Sequence, residues 1–296
     1  FGAIADGTAA VTFSAQADGA FLLTRQELDV KDGLAEEYGY SVAQQDHNKV
    51  NVESPTVFDA FVAAHKAKYG ELFTSETAKN YLEISSSGSV SKAFGIKSSD
   101  CGFFVNGTML NDGKGMSYYA DTARLGTGDN VDFWFYQSPD DYYWGDYYTY
   151  FTETEKTAYQ NEPFTLKLMG FMAMSAMSVT PTAIPIDGTN EDSAITINCV
   201  NSDGSLGEAL TGADGNTIAP DASGNVSLTF DKEGTYVITA NGFAYDANMD
   251  MAMPIIAPYC KVTVLSPRPA PTELNVVCEN ALNPEGNVLI AKTGDI

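Results

Sequence analysis

One stretch of this chain marks a helix at both ends, and almost nothing else in its 296 residues does. In "ESPTVFDAFVAAHKAKYG", Ser54 is a residue type that caps helices and Pro55 suits the first helical position. Phe58, Phe61, Val62, His65 and Tyr69 fall on one face, and Gly70 offers a stop. A lone amphipathic helix must lay its apolar stripe on another element, so the flanking sequence has to supply a sheet.

It does so on both sides. "AAVTFSAQADGAFLLTRQELDV" alternates through Val11 and Phe13, turns at Asp18-Gly19, and resumes with Phe21 and Leu23, which reads as a hairpin. "CGFFVNGTML" is a strand running into Asn106-Gly107, a strong hairpin signal, and "ARLGTGDNVDFWFY" turns at Gly128-Asp129 before Val131, Phe133 and Phe135 alternate. Residues 1–137 therefore read as an α+β domain with one helix across a sheet.

From about Glu162 the helical signal vanishes. "PFTLKLMGF", "AITINCV", "NVSLTF", "GTYVITANGF" and "CKVTVL" are short β-rich runs separated by "NSDGSLG", "GADGNT", "DASGN" and "DKEG". That rhythm predicts an all-β sandwich over 162–266. Residues 138–161 form an aromatic-acidic connector, and "SPRPAP" opens a Pro-rich segment, 267–296, that ends in strands or the stub of another module.

Composition narrows the function classes. With 16 Lys+Arg against 39 Asp+Glu the net charge is −23, which repels phosphate backbones and argues against nucleic-acid partners. No apolar run approaches the roughly 18 residues of a membrane span, so membrane insertion is not expected. The opening "FGAIADG" reads like a chain whose leader has been removed, and no wall-sorting motif is visible. Cys101, Cys199, Cys260 and Cys278 allow three pairings, among which the sequence does not choose. His47 and His65 lack zinc-ligand spacing, and His65, on an apolar face, reads as a satisfied, semi-buried histidine.

The candidate site is "QSPDDYYWGDYYTYF", Gln137 to Phe151. Tyr142, Tyr143, Trp144, Tyr147, Tyr148 and Tyr150 carry apolar bodies with polar tips, which suit sugars and protein partners. The competing reading packs them between the two domains, as an interdomain cushion, and it is preferred over a free binding face. Pro139 with Asp140-Asp141 marks a turn, so a regular buried strand is not expected here. Met169, Met172, Met174 and Met177, with Met249, Met251 and Met253, have spacings compatible with Cu(I), but packing on one face of adjacent strands explains them better. Asp214 and Asn216, or Asp221 and Asn225, offer too few oxygens for Ca²⁺ and read as turns. "SVSK" (Ser89 to Lys92) and "KTG" (Lys292 to Gly294) match a penicillin-binding pair only by chance, and no other catalytic motif is present; neither enzyme activity nor a cofactor is expected.

The helix, "CGFFVNG" and "ARLGTGDNVDFWFY" together resemble a bacterial surface-protein family of unknown function related to the transcobalamin-like β-grasp domain, over roughly residues 8 to 137. Phe103 and Phe104 stand where that family usually has Trp or Tyr. "EPFTLKLMG", "GTYVITA" and "PIIAPYCKVTV" resemble Ig-like modules of bacterial surface proteins. The resemblance implies a β-grasp-like domain followed by an Ig-like sandwich. It also implies an extracellular, cell-surface or wall-associated protein of Gram-positive type. Its role would be adhesion or ligand display, with an unknown host glycan or protein as partner. The alternative it implies is capture of a small molecule of corrinoid type by the first domain.

Overall fold

The computed structural model describes residues 7–41, 54–85, 88–110, 119–138, 145–177 and 180–268. Of the described residues 46% are in strand and 12% in helix, so sheets carry the cores. β1 (Thr8–Ala17) and β2 (Ala20–Lys31) form the expected hairpin. Asp18 and Gly19 both take positive φ, 51° and 74°, the turn geometry whose twist matches the flanking strands.

After a short helix α1 (Leu34–Glu37) comes α2 (Val57–Tyr69), which starts two residues later than Ser54 and Pro55 suggest. The cap is Thr56: its hydroxyl accepts from Asp59 N at 3.1 Å while Asp59 Oδ2 accepts from Thr56 N at 2.8 Å. Ser54 and Pro55 are instead bonded to another segment, their carbonyls accepting from Arg124 Nη1 and Leu125 N. Asp59 Oδ1 takes Ala35 N, so one buried carboxylate ties both helices together.

His65 lies fully inside the core. Nδ1–H donates to the Phe61 carbonyl and Nε2 accepts from Phe94 N, at 2.6 and 2.7 Å, which fixes a neutral tautomer. Burial pushes its pKa down to about 4. The folded value lies below the unfolded one, so His65's contribution is complete above about pH 6.5 and is lost as the pH falls toward 4. The expected NMR result is a His65 ring that remains neutral at pH 5; half-protonation near pH 6.5 would refute this burial.

β3 (Glu83–Ile84), β4 (Val90–Ala93) and β5 (Ile96–Lys97) form a small ribbon. β6 (Cys101–Val105) and β7 (Asn130–Phe135) complete the main N-terminal sheet, in the order β2-β1-β7-β6 with β1 parallel to β7. The Asn106-Gly107 turn forms and closes with Val105 bridged to Thr108, while β6 as a strand pairs with β7. Asn106 accounts for this by donating to Asp129 Oδ1 and accepting from Asn130 N, which anchors the turn to the start of β7. One sheet face meets α2, where Phe61 contacts Phe13 and Phe133 with ring centroids 5.2 and 4.8 Å apart.

The C-terminal half contains β8 (Tyr147–Phe151), β9 (Glu155–Tyr159), β10 (Phe164–Met172), β11 (Ile184–Pro185) and β12 (Ala194–Val200). β13 (Leu206–Ala209), β14 (Asn225–Leu228), β15 (Gly234–Asp246), β16 (Met251–Ile256) and β17 (Cys260–Leu265) follow. β10 pairs with β8, β14 and β11, while β9, β17, β15, β12 and β13 form a second run in which β9 is parallel to β17; β16, parallel to β8 and antiparallel to β15, joins the two runs into one ten-stranded sheet. Leu166, Leu168 and Val226 from the first group share one core with Ile197, Ile238 and Val262 from the second. β8 and β9 lie inside 138–161, so this stretch supplies strands to both groups, where a connector was expected.

Cys199 and Cys260 flank β15, each opposite Ile238 on its own side. Two strand spacings put their Cα atoms roughly 10 Å apart, beyond the reach of a disulfide. Cys101, Cys199 and Cys260 are free thiols, and Cys278 lies outside the described residues.

Candidate functional site

The aromatic segment is the natural starting point, and half of it can be placed. Tyr142, Tyr143 and Trp144 lie outside the described residues. Tyr147, Tyr148 and Tyr150 belong to β8, a regular strand that is buried along most of its length, where a turn-rich segment was expected. Alternation is obeyed, but it buries both faces rather than one. Tyr147 and Phe151 enter the sandwich core, while Tyr148 faces the N-terminal sheet and Tyr150 packs beside it, partly buried.

Tyr148 sits in a seam with Phe104 and Trp134 from the N-terminal sheet and Phe171 and Ile256 from the sandwich. Its ring centroid is 4.7 Å from Phe104 and 5.5 Å from Phe171. Several polar groups at the seam are paired, whereas the buried Trp134 Nε1 has no hydrogen-bond partner among the described residues. The Tyr148 hydroxyl donates to Asp132 Oδ2 at 2.7 Å, and Ser14 Oγ donates to Asp132 Oδ1 at 2.7 Å. Gln16 bonds the backbone of Ala257 twice, Oε1 accepting from its N at 2.6 Å and Nε2 donating to its carbonyl at 3.1 Å. The Phe21 amide donates to the Gly204 carbonyl, and a Cβ on Gly19 would fall 2.3 Å from Asn241 Oδ1. Tyr147 is equally committed, donating to Asp246 Oδ2 at 2.5 Å within the sandwich. Both hydroxyls have pKa values pushed up, first by burial and then by the neighbouring carboxylates.

Nothing in the sequence marks Gln16, Asp132, Phe104 or Phe171 as seam residues. Ser14, Gln16 and Asp132 occupy the polar positions of a regular alternation, which reads as a solvent-facing side, although Ser14 and Gln16 are buried.

Beside the seam lies a cavity of about 220 Å³. Val90, Phe103, Met109, Phe133, Tyr136 and Met174 give it a mainly apolar wall, with Gly88 and Gly102 as wall positions lacking a side chain. The Cys101 thiol also borders it, donates to the Val90 carbonyl at 3.7 Å, and has its pKa pushed up to about 12 by burial, so it is a poor nucleophile. Ligand sites for drug-sized molecules run from about 300 to 1,000 Å³, so this cavity cannot enclose a corrinoid.

The remaining candidates disperse. β8 separates β10 from β16, so the methionines do not lie on adjacent strands: Met253 is buried in the sandwich core, Met172 and Met251 pack against it, and Met174 faces the cavity. Both Asp214 oxygens accept from Asn216, and Asp221 is bonded to Ser223 and Asn225, which holds both carboxyls below their ordinary range. Ser89 and Lys92 lie at and in β4, with Lys92 paired to Glu83 at 3.0 Å; Lys292 to Gly294 lie outside the described residues. Among the described residues no helix is long and apolar enough to cross a membrane.

No family model matches the chain, and no curated protein matches it. Among solved structures it is similar to the CARDB domain of a Pyrococcus furiosus protein, described in complex with di-metal ions. That likeness is 12% identical, covers 40% of this chain and 86% of that one, and has a TM-score of 0.18. It is also similar to the D00-D0 domain of intimin, at 17% identity, with 49% of this chain and 60% of that one covered and a TM-score of 0.19. The chain thus spans less than two thirds of the intimin structure, and likenesses this faint decide neither fold nor function.

Proposed function

We propose that the chain is a non-catalytic module of a bacterial cell surface that acts in adhesion or ligand display. In this reading it is built from a β-grasp-like domain over 1–137 and an Ig-like sandwich over 162–266. A mixed sheet with its first and last strands parallel at the centre and one helix across it supports the first assignment. Two consecutive opening strands, β8 paired with β10 and β9 parallel to the last strand β17, support the second. The observation that carries the functional reading is the seam. Aromatic and polar side chains from both halves are used to lock β-rich bodies together, which suits a part that must hold shape while presenting surface. An enclosed corrinoid gains no support, because the cavity is too small.

The test is an array of host glycans and extracellular proteins probed with the intact chain, alongside a panel of ester, peptide and glycoside substrates. Saturable binding without turnover is expected, and it persists in Tyr147→Phe, whose hydroxyl is spent internally. Turnover abolished by replacing one serine or carboxylate would overturn the reading.

A further inference from the structure

We propose that the cleft where β2 meets the sandwich, at Arg25, Tyr150, Thr154 and Tyr259, binds an acidic sugar by its carboxylate. The inference names a ligand class for surface recognition and rests on that reading. Most polar groups of the cleft wall are satisfied within the chain. Ser14 and Tyr148 donate to Asp132, Gln16 holds Ala257, and Thr149 donates to the Ile256 carbonyl. What remains is the Arg25 guanidinium and the hydroxyls of Tyr150, Thr154 and Tyr259, none of them hydrogen-bonded or ion-paired among the described residues. Arg25 is half-buried and lies over the Tyr259 ring, 5.7 Å from its centroid, a contact that positions the guanidinium without satisfying its N–H groups. A guanidinium only donates and stays charged, so the partner it lacks is an anion. The carboxylates around it are committed elsewhere: Asp132 takes Ser14, Tyr148 and Asn130, and Glu155, close enough to feel Arg25, pairs with Lys261 at 2.8 Å. Volume decides how much of the ligand enters. The cleft holds about 40 Å³, and at about 10–15 Å³ for each water-sized atom it admits about three atoms, a carboxylate but not a sugar ring. The body of the ligand therefore meets the rim, where three hydroxyls able to donate and accept suit a polyol better than a peptide carboxyl terminus with one amide per residue.

The experiment titrates the full chain, labelled with ring-¹³C tyrosine, with methyl glucuronide, methyl glucoside, acetate and N-acetylalanine in turn. Tyr150 and Tyr259 report from the cleft, and Tyr236, stacked on Phe230 in the sandwich, is the control. The glucuronide is expected to shift Tyr150 and Tyr259 saturably while leaving Tyr236 in place. It is expected to bind roughly tenfold tighter than the glucoside, the factor a hydrogen bond to a charged group brings. Arg25→Gln removes the charge, and there the preference for the glucuronide disappears. Shifts that fail to saturate, or that reach Tyr236 equally, would overturn the site. Acetate or N-acetylalanine binding as tightly as the glucuronide would overturn the sugar. Equal affinity for glucuronide and glucoside in the unaltered chain would overturn the role of Arg25, whether or not the variant folds. The two readings fail separately. Array binding of neutral glycans with no response to the glucuronide strikes the cleft and leaves adhesion standing, whereas saturable glucuronide binding beside a blank array strikes adhesion and leaves the cleft.

Discussion

Tyr148→Ala is expected to lower the stability of the folded chain by about 3–5 kcal/mol, the range for deleting a fully buried aromatic ring. Tyr148 is 6% exposed, and its ring touches Phe104 and Phe171, which belong to opposite halves of the molecule. Truncation therefore opens a void where those two rings are bridged by a third. Tyr148→Phe keeps the ring and removes only the hydroxyl. Asp132 Oδ2 retains Asn130 Nδ2 at 2.7 Å, so the expected cost is about 1 kcal/mol. Urea unfolding reads both. An alanine effect below about 1 kcal/mol would mean that the seam is not packed around Tyr148.

The second large effect belongs to Gln16, a residue that sequence pattern places simply on a hairpin strand. Its amide reads both backbone groups of Ala257, where β16 gives way to β17, and all of these atoms are buried. Gln16→Ala leaves a donor and an acceptor unpaired, each costing about 1–3 kcal/mol, so a total loss of about 2–6 kcal/mol is expected. Gln16→Met separates packing from hydrogen bonding, because it fills similar space without satisfying either group. The methionine variant is expected to recover little of the loss. Full stability in Gln16→Met would show that the paired amide contributes nothing beyond volume.

What is legible in the sequence follows from range. The Asp18-Gly19 turn, α2 and the alternation of Val131, Phe133 and Phe135 rest on neighbours a few residues apart, and local chemistry suffices for them. Thr56 does not stand out as the cap because Ser54 is equally suitable by type; only the tie of Ser54 and Pro55 to Arg124 and Leu125 moves the boundary. β8 is hidden for a different reason. A strand buried on both faces loses the polar-apolar contrast that makes alternation visible, and Tyr147 and Tyr148 look the same whichever side they serve. The choice between cushion and binding face for that segment turns on residues more than a hundred positions away, such as Ile256, whose carbonyl accepts from Thr149. The cavity is invisible for the same reason, since its wall joins residues from β4, β6, β7 and the turn after β10.

The seam also has a consequence for how the molecule comes apart. Two β-rich cores joined only by a strand of chain would unfold separately, each at its own temperature. Here Phe104, Trp134, Tyr148 and Phe171 share one cluster, and Gln16 and Asp132 bond across it, so neither half keeps its buried polar groups satisfied once the other is lost.

Scanning calorimetry of the intact chain tests this most directly. A single transition whose calorimetric and van't Hoff enthalpies agree is predicted, splitting into two when Tyr148→Ala and Gln16→Ala are combined. Two resolved transitions in the unaltered chain would contradict the account, because the halves would then be neighbours and not one cooperative unit.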